Sequence, residues 1–472
     1  MNFVIFMPDE MRAESVSCYG HPVVHMPNYD RLAEEGVRFD QCHVQHPVCS
    51  PSRPSLMTGW YPHVAGHRTL WYLLRPHEPS LFRYLREAGY HIEWHGKNDL
   101  YAPEYFPLAV DHYSRARSRL FGNNPYQLDD AAYYSFLFDP FPGKPEDTPD
   151  MGCVQAGIDF LRSRSAGDKP FVLYLPTILP HPPYSAPQPY HDMYRIEDLP
   201  TLRPPDLPGK PDYHQLIRRY RRLDRLPEEH FAKIQAVYLG MCSYVDWILG
   251  QLLDALDETG LAEETTVIVT SDHGDWAGDY GLVEKWPSAL DDTITRVPLL
   301  IRAPANAAGH VVEEQVELFD IMPTVLGLAG VEAHHTHFAR SLEPQLHGEP
   351  GDPGRAVYAE GGYDPHQPHC FEGRWGEYDI PRSARHIYWP KGVQQQEHPE
   401  SVCRATMIRT LEHKLVRRPR GVSELYDLSN DPRELQNVYE DPRFAKTRTE
   451  LEHRMLDWYI HTSDVTPWDE NP

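Results

Sequence analysis

Thr266-Val267-Ile268-Val269-Thr270-Ser271-Asp272-His273-Gly274 is a short apolar, β-branched run closed by a carboxylate, an imidazole and a glycine. So short a run, rich in Val, Ile and Thr, reads as a strand buried on both faces. The pattern recurs. Asn2 to Met7 is followed by Asp9 and Glu10, His91 to Trp94 by His95 and Lys97, and Phe171 to Leu175, a few residues on, by His181. Leu299 to Ile301 reads as a fifth run. Amphipathic helices lie between them, clearest over Glu228 to Glu258, where Phe231, Ile234, Val237, Tyr238, Met241, Val245, Ile248, Leu252 and Leu256 recur at helical spacing. Strands alternating with helices predict an α/β fold, a large mostly parallel sheet sandwiched by helices. Ligands of such sheets collect at the carboxyl ends of the strands. Four segments therefore deliver ionisable groups to one edge.

The chain of 472 residues exceeds a usual single domain. The βα rhythm fades near residue 350, which predicts a catalytic domain over 1–350. A smaller α+β subdomain over 351–472 would carry a small antiparallel sheet and a terminal helix near Lys446 to Ile460. Pro182 to Pro227 and Gly361 to Glu400 read as inserted loops, of a length that is usually functional when ordered.

A net charge of -24 argues against nucleic acid or an anionic membrane as the main partner, because both require a positive field. An acidic protein that binds an anion must concentrate a metal or a few cations at the site. Seven cysteines without CxxC spacing make a disulfide framework or a zinc knot improbable. The opening MNFVIFMPDE has neither a basic n-region nor a long apolar stretch, so the expectation is a cytoplasmic protein, with a trimmed leader also compatible.

The chemistry is written in Cys49-Ser50-Pro51-Ser52-Arg53, followed by Pro54-Ser55-Leu56-Met57-Thr58-Gly59. This stretch resembles the sulfatase signature, CxPxR with a trailing xSLxTG. Pro27 to Phe39 resembles the helix that precedes the signature in that family. Ser271-Asp272-His273-Gly274 resembles its second metal motif, Gly281 to Lys285 its following Lys segment, and Asp320 to Thr324 a later helix. Leu425-Tyr426-Asp427-Leu428, with Asp431-Pro432 and Asn437, resembles its C-terminal subdomain. Nearly the whole chain is covered in the family's order.

The resemblance implies an alkaline-phosphatase-like fold and a Cys49 oxidised to formylglycine by a dedicated formylglycine-generating enzyme. It also implies one divalent metal, most simply Ca2+, with Mg2+ or Mn2+ as alternatives, held by Asp9, Glu10, Asp272, His273 and the modified residue 49. Hard cations prefer such oxygen-rich sets. Lys97 and Lys285 match the family's sulfate-contacting lysines, His181 its PHxP histidine and proton donor, and Arg53 the residue that steadies the nucleophile. Two positions depart: Glu10 stands where a second Asp is common, and Gly96-Lys97-Asn98-Asp99 puts a carboxylate where the family often has His. Asp99 is costly there unless paired with Lys97 or the metal.

The implied reaction is hydrolysis of a sulfate monoester on a sugar or another small organic molecule. The alternative is a formylglycine-dependent phosphonate monoester hydrolase or phosphodiesterase, which His181 to Arg195 resembles but the retained Lys97 does not favour. A catalytically silent binding protein is the reading from another class, and the intact Cys, Arg, Asp, His and Lys set speaks against it. His67, Arg68, Trp71 and the loop Tyr363 to His369 are expected to shape the pocket. The sequence leaves a homo-oligomer open.

Overall fold

The computed structural model describes residues 1–115, 121–165, 167–364 and 383–466. Nine strands form the main sheet: β1 (Asn2–Asp9), β2 (Val37–His43), β3 (His91–His95), β4 (His112–Ser114), β5 (Phe171–Pro180), β6 (Thr265–Thr270), β7 (Arg296–Val297), β8 (Leu299–Arg302) and β9 (His310–Glu317). Their order is β4-β3-β5-β1-β6-β8-β2-β7, with β9 also pairing β2. Strands β4, β3, β5, β1 and β6 are parallel neighbours, whereas β8 is antiparallel to both β6 and β2. The run at Leu299 is thus a strand, but it runs against its neighbours β6 and β2.

The period of two along a strand explains why the sheet is covered twice. Val4 and Phe6 of β1 share a core with Leu173 and Leu175 of β5, Val267 and Val269 of β6, and helices Pro27–Glu35, Pro149–Ser163 and Glu228–Glu258. Phe3, Ile5 and Met7 face the other way and pack with Val172, Tyr174, Ile268 and helices Cys49–Thr58, Leu81–Glu87 and Ile321–Ala329. The result is a helix–sheet–helix sandwich. Helix Glu228–Glu258 is long and apolar enough to cross a membrane, but 89% of its apolar stretch is buried inside the fold, which makes it a core helix.

Three elements differ from the sequence expectation, one of them the Gly361 to Glu400 stretch, which contains the helix Trp389–Glu397. The helix starting at Pro27 ends at Glu35, and Val37 to Phe39 opens β2, whose alternating burial is that of a half-covered strand. Pro182 to Pro227 contains a helix, Tyr213–Tyr220, whose Tyr213 and Ile217 join the main core, so the insertion is packed rather than a plain loop.

A second sheet is formed by β10 (Val357–Gly361), β11 (Ala405–Arg409), β12 (His413–Arg417) and β13 (Glu424–Asp427), antiparallel throughout. Leu451, Met455 and Trp458 of the terminal helix Ala445–Thr462 close over Ile408, Leu415 and Leu425.

Candidate active site

The parallel strands end at one edge, and there the ionisable residues meet. Asp9 closes β1, Lys97 follows β3, His181 follows β5, and Asp272 with His273 follows β6. Cys49 is the first residue of helix Cys49–Thr58. One turn later on the same helix face comes Arg53.

Cys49 Sγ lies 3.2 Å from His273 Nε2, 3.6 Å from Asp9 Oδ1 and 3.8 Å from Lys97 Nζ. Arg53, 1% exposed, reaches both carboxylates of the site, with Nη2 2.8 Å from Asp9 Oδ2 and Nε 2.9 Å from Asp272 Oδ2. It therefore offsets one of the two charges on buried acids that would otherwise repel each other. His273 Nδ1 donates to the Gly274 carbonyl at 2.9 Å, which turns Nε2 toward the sulfur. Gly274 is required by packing: a Cβ there would stand 2.0 Å from the Thr293 carbonyl oxygen.

The ligand atoms of Asp9, Cys49, Asp272 and His273 all lie within 4.8 Å of one another. Two carboxylates, an imidazole and position 49 make a buried donor set that fits a divalent cation. Glu10 stands apart from these four. Its backbone is left-handed (φ 71), and its Oε2 turns to Lys285 Nζ at 2.7 Å and His181 Nε2 at 3.3 Å, where it groups with Asp9 and His181 instead.

Lys97 Nζ is clamped between Asp9 Oδ2 at 2.6 Å and Asp99 Oδ2 at 2.7 Å. The unexpected carboxylate at 99 thus has the partner it needs. The turn leading to Lys97 depends on Gly96 (φ +141), where a Cβ would stand 2.2 Å from the Pro176 carbonyl oxygen. Burial alone would raise the Asp9 carboxyl, but Lys97, then His181, Arg53 and His273, outweigh it and hold Asp9 well below the usual carboxylate range. For Glu10 burial wins over Lys285, and its carboxyl is raised. Burial, then the Lys285 ammonium, pushes His181 well below its ordinary value. Burial also raises the Cys49 thiol well above its ordinary value, so an unmodified Cys49 is a protonated and poor nucleophile.

The sequence profile of the sulfatase family matches residues 1–331, with a second match over 388–460 to the C-terminal profile described as N-sulphoglucosamine sulphohydrolase. The chain belongs to the sulfatase family. It is 27% identical to the uncharacterized sulfatase YidJ of Escherichia coli over 97% of this chain and 86% of that one. To the multifunctional alkaline phosphatase superfamily protein PehA of Trinickia caryophylli it is 29% identical, over 98% of this chain and 94% of the other. Among solved structures, the phosphonate monoester hydrolase of Agrobacterium radiobacter superposes with a TM-score of 0.77, covering 98% of this chain and 96% of that one. At 23% identity that is a likeness of fold.

Above Cys49 this sulfatase opens a cavity of roughly 270 Å³, lined by Lys97, Asp99, His181 and Lys285 at its base and by Leu70, Trp71, Tyr388, Lys391 and Gln395 farther out. The last three come from the insertion beginning at Gly361, which sequence reading set apart as an inserted loop without naming them. Lys391 Nζ sits 3.1 Å from Glu284 Oε1, whose other oxygen is held by Arg221 at 2.7 Å. Of the expected pocket residues Trp71 lines the cavity, but His67 and Arg68 do not. His67 bonds the Tyr72 carbonyl and Glu78, and Arg68 pairs with Glu360. Tyr363 is buried against Gln395, and residues 365–369 of that expected loop lie outside the described residues.

Proposed function

We propose that this sulfatase hydrolyses sulfate monoesters of a sugar or another small organic molecule, with Cys49 matured to formylglycine and Ca2+ held by Asp9, Asp272, His273 and residue 49. One observation carries the reading. Cys49 sits at a helix N-terminus on the floor of a cavity whose base presents Lys97, His181 and Lys285, a position suited to an incoming anion.

Formylglycine, once hydrated, supplies a hydroxyl nucleophile where the buried thiol cannot. The remaining work belongs to the side chains. Lys97 and Lys285 flank the space above Cys49 and offer fixed positive charge to the sulfuryl oxygens. His181 keeps its Nε2 edge toward that space, next to Lys285, where a proton can be handed to the leaving oxygen. Arg53 and His273 hold Asp9, Asp272 and residue 49 in register. Formally, the carboxylates of Asp9, Glu10, Asp99 and Asp272 exceed the cations Arg53, Lys97 and Lys285 by one charge. A divalent ion reverses that sign, which suits an anionic ester.

Phosphonate monoester or phosphodiester hydrolysis is the second reading, favoured by the 25% identity, over 98% of this chain, to the phosphonate monoester hydrolase of Silicibacter pomeroyi. Mass spectrometry of the Cys49 peptide, from a host able to make formylglycine, tests the nucleophile: an aldehyde mass is expected, and an intact thiol overturns it. Comparing kcat/KM on para-nitrophenyl sulfate with phosphonate and phosphodiester analogues tests the reaction class. Higher efficiency on the phosphorus esters replaces the first reading with the second.

A further inference from the structure

At one margin of the main sheet, β3 carries His91, Glu93 and His95 at alternate positions and hence on one face. The edge strand β4 places His112 directly across from Glu93. Glu93, 5% exposed, receives all three rings: Oε1 lies 2.9 Å from His95 Nε2 and 2.5 Å from His112 Nδ1, and Oε2 lies 2.8 Å from His91 Nε2. The ligand atoms of Glu93, His95 and His112 fall within 4.8 Å of one another. None of these residues takes part in the chemistry above.

His95 is the telling member. It is 2% exposed, and its Nε2 is aimed into the cluster, 2.9 Å from Glu93 Oε1. Its other nitrogen is already engaged, with Nδ1 2.6 Å from Ser114 Oγ. A ring fixed through one nitrogen, with the other turned to a carboxylate and a second imidazole, is how proteins orient a histidine for a metal. Glu93 is supported in the same way, since His91 holds the oxygen that His95 and His112 leave free. We propose that Glu93, His95 and His112 bind a zinc-class divalent cation, with Ser114 and His91 orienting the ligands and a fourth position open to solvent beside His112.

The donor chemistry sets the metal class. Two imidazole nitrogens with one carboxylate oxygen suit Zn2+, whereas Ca2+ and Mg2+ require mostly oxygen. Ligands at about 2.0–2.2 Å in a tetrahedron stand roughly 3.3 Å apart. The present 2.9 and 2.5 Å separations need an opening of less than about 1 Å, and the His112 side chain, 58% exposed, is free to give it. The ion would cross-link the edge strand β4 to β3.

The test is a Zn2+ titration of the full chain, dialysed free of metal and then saturated with Ca2+ so that the Cys49 cluster is filled. Wild type is expected to bind one equivalent of Zn2+ and to gain thermal stability from it. Co2+ in its place should show the intense visible bands of a tetrahedral ion. His112→Ala removes an exposed ligand and should weaken Zn2+ binding at least about 100-fold, abolish the thermal shift, and leave the Ca2+-dependent esterase rate unchanged. Glu93→Gln is the second variant and should behave likewise. Zn2+ binding of equal affinity in wild type and His112→Ala, or no Zn2+ bound by wild type, overturns the assignment.

Discussion

Lys285 Nζ lies 2.6 Å from Nε2 of His181, while Nδ1 of the same ring lies 2.6 Å from the Pro182 carbonyl oxygen. A carbonyl only accepts, so Nδ1 carries the proton of the neutral ring and Nε2 receives the lysine ammonium. Burial, followed by Lys285, disfavours the imidazolium. For Lys285 burial opposes the ammonium, but Glu10 outweighs it and raises the group well above its ordinary value. The pair thus stores one proton at the base of the cavity, shared along a short bond.

His181→Gln keeps a hydrogen-bonding side chain and removes the proton relay. For an alkyl sulfate, whose alkoxide needs a proton to depart, kcat should fall by about 10²–10⁴. For para-nitrophenyl sulfate, whose phenolate leaves unaided, the loss should be at least about tenfold smaller. Rates across a series of leaving-group pKa values measure this directly. Equal losses for both ester types would remove His181 from proton transfer.

Arg53→Met takes away the guanidinium that Asp9 and Asp272 share, and leaves two carboxylates without it in the interior. Breaking a buried pair of this kind costs about 3–5 kcal/mol. Urea midpoints in the presence of a chelator should show that loss. Ca2+ should restore part of it, because a divalent ion substitutes for some of the missing charge. A variant as stable as wild type without metal would mean that the arginine is not what balances the two acids.

Asp9, Lys97, His181 and Asp272 were legible because they lie past apolar runs and a parallel sheet carries such positions to the same edge, whereas Cys49, Arg53 and Lys285 were legible only through the family motifs that hold them. What sequence reading missed depends on the third dimension. Nothing in Leu299 to Ile301 tells its direction, because a doubly covered strand looks the same run either way, and β8 is reversed. Val37 to Phe39 continues a motif that begins as a helix, and only its pairing with β8 and β9 makes it a strand. Glu10 follows Asp9 immediately, yet a left-handed backbone turns it to Lys285 and away from the Asp9, Cys49, Asp272 and His273 set. Tyr388 and Lys391 reach the cavity from an insertion more than 300 residues after Cys49, and no local pattern announces that.

Asp272→Asn keeps the shape of a carboxylate that bonds Arg53 and the Glu10 amide, but it halves the carboxylate charge offered by the Asp9 and Asp272 pair. Wild type in Ca2+ at about 100 times its dissociation constant should gain roughly 2.7 kcal/mol over chelated protein. The variant should gain little at the same concentration, and its turnover should fall strongly. Thermal denaturation with and without chelator measures the first effect, and a metal-independent melting point in wild type would argue against a resident ion.

Glu360 ties β10 to the segment after the signature helix, and its titration gives this sulfatase an acid limb of stability. Its Oε1 meets Arg68 at 2.5 Å and its Oε2 meets His63 Nδ1 at 2.7 Å, both in the interior. Burial alone would raise the carboxyl, but Arg68 and then His63 outweigh it and bring it down to about 2. A folded-state value depressed below the ordinary 4.5 means that the stabilisation is complete above about pH 4.5 and is lost as pH falls toward 2. The shift corresponds to about 3 kcal/mol. Glu360→Gln should therefore destabilise the protein most at pH 6–7, and the gap to wild type should narrow steadily below about pH 4.5. Chemical denaturation at several pH values reads that gap, and a difference that stays constant from pH 7 to pH 3 would show that the charge of Glu360 is not what Arg68 and His63 hold.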